Sequence, residues 1–224
     1  MRIVIGILLI CVVAFAIILT VVEIPFGISE TRVGTYYIDK GVEQTGAVNI
    51  VTSVVLNYRG FDTLGEVTVL FIAALGLGAV VYTFERKKGE NTKTPASLVL
   101  NTGCRFLFPL ILLFGTYIFI HGHLTPGGGF QGGAIIASAF VLVYLGCKGR
   151  NSENKNFVLF ESLGGLIFVV VGLLGFIFGG YFLSNFMPKG IPGELFSAGI
   201  IPVLYIAIGF KVGSELAGII AELL

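Results

Sequence analysis

Five charged residues lie within or at the ends of long apolar stretches, where charged side chains are rare. They are Glu66, Glu161, Lys211, Glu215 and Glu222. A charge at the centre of a bilayer costs about 2.5–3.5 kcal/mol, so it normally has a partner or a path for water. Carboxylates and an amine placed in this way can pass protons or cations. Glu66 and Glu161 can equally cap helix N-termini, where the helix dipole favours an anion.

The spacing of Lys211 and Glu215 predicts a pair on one helical face. Residues four apart are neighbours on a helix surface, and Glu222 falls on the same face at about 100° per residue. The nearly opposite face carries small residues that suit close helix packing, namely Gly209, Gly213 and Ala217. The pair is then a neutralised structural ion pair, a participant in transport, or a contact with another subunit.

The chain has two histidines, His121 and His123. A spacing of two does not place them on one helical face, and no Cys, Asp or Glu nearby in sequence completes a zinc set. We therefore expect no metal site. Histidine changes charge near neutral pH, so either residue can relay protons at the outer surface. The alternative is a polar residue at the membrane boundary.

A glycine-rich segment follows the histidines and formally matches the G-x-G-x-x-G pattern of nucleotide sites. No strand precedes it and no βαβ unit surrounds it, so a nucleotide site is not expected. We predict instead a tight outer hairpin, in which proline stops one helix and the glycines permit positive φ and close packing. A place on the ion route is the alternative. The motif residues are Pro126, Gly127, Gly128, Gly129, Gln131, Gly132 and Gly133.

Composition predicts an all-α integral membrane protein. Of 224 residues, 55% are hydrophobic and 12% are charged, which is too little polar surface for a water-soluble chain. A spanning helix needs about 20 apolar residues, and six stretches qualify. We place them at Ile3–Val22, Gly65–Phe84, Cys104–His121, Phe130–Cys147, Phe157–Phe182 and Leu195–Ala221.

A charged linker ending in proline divides the predicted spans into two groups. We expect a two-helix module with an outer loop over residues 1–84, a cytoplasmic linker over 85–103 and a four-helix module over 104–224. Within the loop, Val48–Leu56 is apolar but too short to span, which predicts a lateral or interfacial helix. Asp62 or Thr63 is expected to cap the second span.

The distribution of Lys and Arg predicts the orientation. With the N-terminus inside, nine of these residues face inward and four face outward, with Lys211 inside a span. The positive-inside rule then places both termini in the cytoplasm and the chain in the cell membrane. A net charge of +1 provides no basic surface for nucleic acid.

Two segments resemble subunits of one known group of proteins. The segment Asn49–Glu66, NIVTSVVLNYRGFDTLGE, is similar to the C-terminal tail of the large subunit of Mrp (Mnh) sodium/proton antiporters and to the matching small subunit of membrane-bound hydrogenases. The segment His121–Gly133, HGHLTPGGGFQGG, resembles the hallmark of the MnhB subunit of those antiporters. Together the two matches cover nearly the whole chain.

The resemblance implies a non-catalytic membrane subunit of a multi-subunit cation (sodium)/proton antiporter module. Such a subunit would scaffold its neighbours and line part of the ion route, with sodium and protons as the ions. The alternative is a mainly structural subunit in the membrane arm of a hydrogenase or sulfane sulfur reductase, with any redox chemistry in partner subunits. No residue suggests an iron–sulfur or nickel site, so no cofactor is expected. A self-sufficient carrier is disfavoured because no internal repeat is visible.

Overall fold

The computed structural model describes residues 2–23, 32–85, 97–146 and 154–223, and within these ranges it contains helices and turns but no strand. The helices are α1 Arg2–Glu23, α2 Arg32–Thr45, α3 Ile50–Thr52 with a π-helical continuation Ser53–Tyr58, α4 Gly60–Glu85, α5 Leu98–Ile120, α6 Gly129–Gly146, α7 Asn154–Gly179 and α8 Ile201–Leu223. The prediction of an all-α fold is confirmed.

Six of the described helices are long and apolar enough to cross a membrane, as the sequence predicts. The candidate spans are Ile5–Glu23, Gly60–Val81, Leu98–Ile120, Gly129–Gly146, Phe157–Gly179 and Ile201–Ala221. The last span begins at Ile201 rather than at Leu195. Residues 180–200 form turns, in which Gly180, Gly190 and Gly193 have positive φ. The apolar residues of this segment lengthen the apolar run in the sequence, but the backbone there is not helical.

The chain forms two compact units, Met1–Thr35 and Tyr36–Leu224. The first unit contains α1, whose described side chains from Ile7 to Glu23 are all exposed. A fully apolar helix of this length requires lipid or other protein around it, because its side chains cannot be left in water.

The second unit is organised around α8. This helix packs against α4, α5, α6 and α7, and its candidate span is the most buried of the six, at 61%. The buried core also draws on the turn segment before α8 and on the segment that contains α3. Its largest members are Phe168, Leu56, Ile200, Ile201, Leu204 and Ile208. The charged residues of α8 therefore lie on the central helix rather than at the periphery.

The additional helix expected at Val48–Leu56 is present, but in a form that hydropathy does not indicate. Asn49 caps α3, since its side chain accepts hydrogen bonds from the backbone N–H of Val51 and Thr52. The helix then widens to a π-helix, in which the N–H of Arg59 reaches the carbonyl of Val54. Such widened turns are rare and concentrate near functional sites.

The second span begins earlier than expected, and this changes the role of Asp62. Because α4 begins at Gly60, Asp62 and Thr63 lie inside its first turn and neither is the cap. Asp62 instead accepts a 2.6 Å hydrogen bond from Arg59 Nε, while Thr63 donates to the carbonyl of Val55. The acid still lies where the helix dipole favours a negative charge.

The third span begins at Leu98 rather than at Cys104. Ser97 caps α5, which begins at Leu98, so residues 98–103 are helical. The cap residue fixes this boundary, whereas Asn101 and Thr102 interrupt the apolar run and suggest a later start. Residues 86–96 lie outside the described residues, as do 147–153 and the side chains of Lys155 and Glu222. The orientation and the place of Glu222 on the α8 face therefore stay predictions.

Candidate functional site

Three ionisable side chains from two helices meet in the interior of the second unit. The ammonium Nζ of Lys211 donates a hydrogen bond to Glu215 Oε2 at 3.1 Å. The same Nζ lies 3.7 Å from Glu161 Oε1 of α7. The side chains of Lys211 and Glu215 are 8% and 1% exposed, and that of Glu161 is 18% exposed. The predicted pair is present, and the structure adds Glu161 to it.

Glycines on α7 allow its close approach to α8 at this point. A Cβ on Gly164 would lie 2.6 Å from the carbonyl oxygen of Ala207, so no larger residue fits without a shift. The aliphatic stem of Lys211 passes over Gly165, whose Cβ would meet Lys211 Cδ at 3.7 Å. The small residues of one helix therefore make room for the long charged side chain of the other.

Helix α4 contacts the cluster on a third side. The Lys211 ammonium lies 4.9 Å from the centroid of the Phe71 ring, within the range of a cation–π interaction. Glu215 Oε1 is buried and has no hydrogen-bond partner among the described residues. An unpaired buried carboxylate oxygen is costly, so this atom is the incompletely satisfied position of the cluster.

A cavity of about 480 Å³ adjoins the cluster between α4, α7 and α8. Its polar lining includes Glu161, Ser162 and Glu215, and its walls include Phe71, Phe157 and Gly218. The lining residues run from the cluster toward the C-terminal halves of α4 and α8 and the N-terminal part of α7. The cavity therefore lies on the side of the cluster that is nearer the C-terminal end of α4.

The other ionisable candidates do not join this cluster. Glu66 is exposed on α4. His121 caps the C-terminus of α5 and stacks on Tyr117, with ring centroids 4.2 Å apart. His123 lies in the following loop and is 0% exposed. The described residues contain no group of three His, Cys, Asp or Glu side chains that could hold a metal ion.

The environment of His123 favours the neutral imidazole. Both ring nitrogens are buried without a hydrogen-bond partner among the described residues. They approach main-chain groups of Glu194 and Leu195 without reaching hydrogen-bond geometry. Burial lowers the pKa of His123, and those main-chain groups oppose this effect only in part. Sequence reasoning placed this residue at a polar boundary, whereas turns 180–200 bury it.

Three glycines of the hairpin lie in close contact with the two neighbouring helices. A Cβ on Gly129 would lie 2.6 Å from Ile208 Cβ, and one on Gly133 would lie 2.9 Å from Val212 Cβ, both on α8. A Cβ on Gly132 would lie 2.7 Å from the carbonyl oxygen of Gly115 on α5. These glycines bring α6 against both neighbours. Pro126 and Gln131 are exposed, and α5 ends at Ile120, so Pro126 does not terminate it.

A hydrogen-bonded clasp, which the sequence does not reveal, joins α3 to this hairpin. Asn49 Nδ2 donates to the carbonyls of Gly122 and Thr125, at 2.8 and 3.0 Å. Thr52 Oγ1 donates to Gly122 as well, at 2.7 Å, and shares a hydrogen bond with the hydroxyl of Tyr205 on α8. The segment outside the six spans is thus fixed to the loop between α5 and α6.

The fold and the buried cluster define a multi-pass helical membrane protein with an ionisable group inside its helical bundle. Residues 99–218 match the family described as a domain related to the MnhB subunit of Na⁺/H⁺ antiporters, and residues 2–97 match the MbhE family, a subunit of MBH. The chain therefore belongs to the MnhB-related family. A Methanocaldococcus jannaschii protein, MJ1307, is 36% identical over 190 residues, which are 73% of this chain and 72% of that protein.

Two solved structures resemble the chain over 99% of its length. One is a chain of an archaeal membrane-bound sulfane sulfur reductase, with 49% sequence identity, a TM-score of 0.81 and 97% of that chain covered. The other belongs to the Mrp complex from Dietzia sp. DQ12-45-1b, with 26% identity and a TM-score of 0.74. This chain spans 26% of that longer polypeptide. Both are chains of multi-subunit membrane complexes.

Proposed function

We propose that this chain is a membrane subunit of a multi-subunit cation/proton antiporter module, in which it holds neighbouring subunits and lines part of the ion route. The observation that carries the proposal is the Lys211–Glu161–Glu215 cluster between α7 and the central helix α8. Buried charges inside a membrane protein mark ion or proton paths by default. The match to a Na⁺/H⁺ antiporter subunit over residues 99–218 supports sodium and protons as the transported ions.

Two candidates outside the cluster suit positions between subunits. Glu66 is exposed and His121 is half-buried, and an exposed charge within a candidate span such as that of Glu66 needs a partner outside this chain. We assign both residues to parts of the ion route that this chain forms together with neighbouring subunits. His123, buried against the turn segment, has a packing role, as do the glycines of the hairpin.

A second host complex is also supported. The similarity to the sulfane sulfur reductase chain extends over 97% of that chain at 49% identity, so the two chains have the same extent. A respiratory complex can use an antiporter module to couple redox chemistry to ion movement. In that setting the chain keeps the same role, and the redox catalysis and its cofactors lie in other subunits.

The organisation of the chain in its membrane is part of the proposal. We infer a cell-membrane location with both termini in the cytoplasm, because Lys and Arg concentrate on that side. We also infer two modules, 1–84 and 104–224, joined at residues 85–103. The separate family matches over 2–97 and 99–218 support this division. With this orientation, the cavity beside Glu161 lies in the cytoplasmic half of the helical group.

The proposal predicts that the complex depends on this chain for both assembly and exchange. In membranes of cells that lack the chain, native gels should show loss of the full complex, and inverted vesicles should lose sodium-dependent proton movement. Re-expression of the wild-type chain should restore both. Intact exchange without the chain would contradict the proposal. Exchange by the purified chain alone would instead make it a self-sufficient carrier.

A further inference from the structure

We propose that Glu161 and Glu215 form a binding site for one monovalent cation, a proton or Na⁺, and that the Lys211 ammonium competes for the same carboxylates. The inference rests on the proposed function for its role in transport. The existence of the site, however, is argued from the geometry of the cluster, and it can be tested without measuring ion flux.

The charges of the cluster do not balance. Two carboxylates face a single ammonium, at 3.1 and 3.7 Å, so the fully ionised cluster carries a net charge of −1. An uncompensated charge in a membrane interior costs several kcal/mol, and a group in that position normally neutralises instead. One proton or one monovalent cation restores neutrality, whereas a divalent ion would leave an excess positive charge.

The hydrogen bonds indicate where the additional positive charge would bind. Glu215 Oε2 accepts from Lys211, but Glu215 Oε1 is buried and has no partner among the described residues. Glu215 and Glu161 both line the cavity of about 480 Å³, which has room for water or a hydrated ion. A cation arriving through this cavity meets an unsatisfied carboxylate oxygen, with the second carboxylate as its neighbour.

Lys211 is suited to compete with an external cation for the two carboxylates. Its ammonium is a compact charge on a flexible four-carbon stem, so it can shift without backbone movement. The Phe71 ring, 4.9 Å from the ammonium, retains a favourable contact when the carboxylates are occupied. Binding of an external cation therefore displaces the ammonium from direct contact with the carboxylates but not from the cluster, where two positive charges then balance two negative ones.

Carbodiimide labelling of the intact complex in native membranes tests the site. Dicyclohexylcarbodiimide enters the bilayer and adds to a protonated carboxyl, leaving an N-acylurea that mass spectrometry assigns to one residue. We expect labelling of Glu215 or Glu161 that falls as pH rises. Added NaCl, compared with choline chloride at equal ionic strength, should lower labelling further if Na⁺ occupies the site. Labelling insensitive to NaCl but sensitive to pH identifies the proton as the occupant.

Two variants test the competition. Lys211→Met removes the positive charge that faces both carboxylates, so labelling at a fixed pH should rise about tenfold or more. Glu161→Gln leaves one carboxylate and one ammonium, which balance, so labelling of Glu215 should nearly vanish at neutral pH. Glu194, exposed in the turn segment, provides an internal reference whose labelling should be unchanged in both variants.

Absence of pH-dependent labelling at both Glu161 and Glu215, with the complex intact, would overturn the inference. Equal labelling in wild type and Lys211→Met would also overturn it, because the ammonium would then not compete. Labelling as expected in a complex that shows no sodium/proton exchange would keep the cation site and refute the transport function. Exchange that persists without labelling would keep the function and refute this site.

Discussion

Close packing of α6 against α8 should be sensitive to a single added carbon at Gly133. A Cβ at this position would lie 2.9 Å from Val212 Cβ and 3.0 Å from both Gly209 O and Gly213 N. Two of these three atoms belong to the backbone, so rotamer changes cannot relieve the contact. Gly133→Ala therefore forces the two helices apart rather than moving one side chain.

The cost of the added Cβ at Gly133 is measured against a matched control variant in the neighbouring helix α5. A Cβ on Gly103 of α5 meets nothing within 4 Å, so Gly103→Ala adds helix propensity, worth up to about 1 kcal/mol, without a clash. Because both variants make the same Gly-to-Ala change within a helix, the difference between them isolates the cost of overpacking. That cost is about 1–3 kcal/mol for one or a few extra carbons, or about tenfold in equilibrium per 1.4 kcal/mol.

The assay is thermal dissociation of the detergent-extracted complex, followed by size-exclusion chromatography after heating. Gly133→Ala should dissociate at a lower temperature than wild type, Gly133→Val should fail to assemble, and Gly103→Ala should match or exceed wild type. Ion selectivity of any assembled Gly133→Ala complex should be unchanged. If Gly133→Ala is as stable as Gly103→Ala, or if it assembles normally with altered selectivity, the packing role of the hairpin is wrong.

Three further predictions concern the clasp, the buried histidine and the orientation. Asn49→Ala removes a helix cap and two hydrogen bonds to loop carbonyls, which should cost about 1–3 kcal/mol. Asn49→Asp should be no more stable than Asn49→Ala in the same thermal assay, since it keeps the cap but sets a carboxylate oxygen against the two carbonyls. Because burial holds the pKa of His123 below that of the unfolded chain, the unfolded state binds more protons in acid. Stability should therefore decline as pH falls below about 6.5. His123→Phe should flatten this decline, and an equal decline in that variant would exclude His123 as its source. A membrane-impermeant thiol reagent applied to intact cells should reach single cysteines in residues 188–193 but not in 87–93, and the reverse pattern would invert the topology.

Hydropathy was sufficient to predict the number of spanning helices, because a continuous apolar run of about 20 residues has few other structural solutions. It failed at the ends of helices. Residues 195–200 are mostly apolar yet lie in turns, because Pro192 and the positive-φ residues Ala198 and Gly199 break the helix. The start of α5 at Leu98 depended on the Ser97 cap, a local hydrogen bond that mean hydropathy does not register.

The candidate site was predictable only within one helix. The i, i+4 spacing correctly paired Lys211 with Glu215, since helix geometry alone sets that distance. The approach of Glu161 depends on the register of α7 against α8, which the contacts at Gly164 determine. The sequence contains those glycines but does not indicate which helix they meet. The burial of His123 and the clasp of Asn49 likewise arise between segments far apart in the chain.

The most direct test of the account compares two double variants of the complex in inverted vesicles. Lys211→Met with Glu215→Gln removes the buried pair, whereas a single change would leave a buried charge uncompensated at a cost of about 3–5 kcal/mol. The double change keeps the net charge of the cluster at −1, through Glu161. Lys40→Met with Glu43→Gln is the matched control, because that pair, 2.9 Å apart on α2, is exposed. Sodium-dependent proton exchange is measured by a pH-sensitive dye, with assembly checked on native gels. The account predicts that both variants assemble and that only the Lys211/Glu215 variant loses exchange. Full exchange by an assembled Lys211/Glu215 variant would show that Lys211 and Glu215 form a structural ion pair and are not part of the ion route.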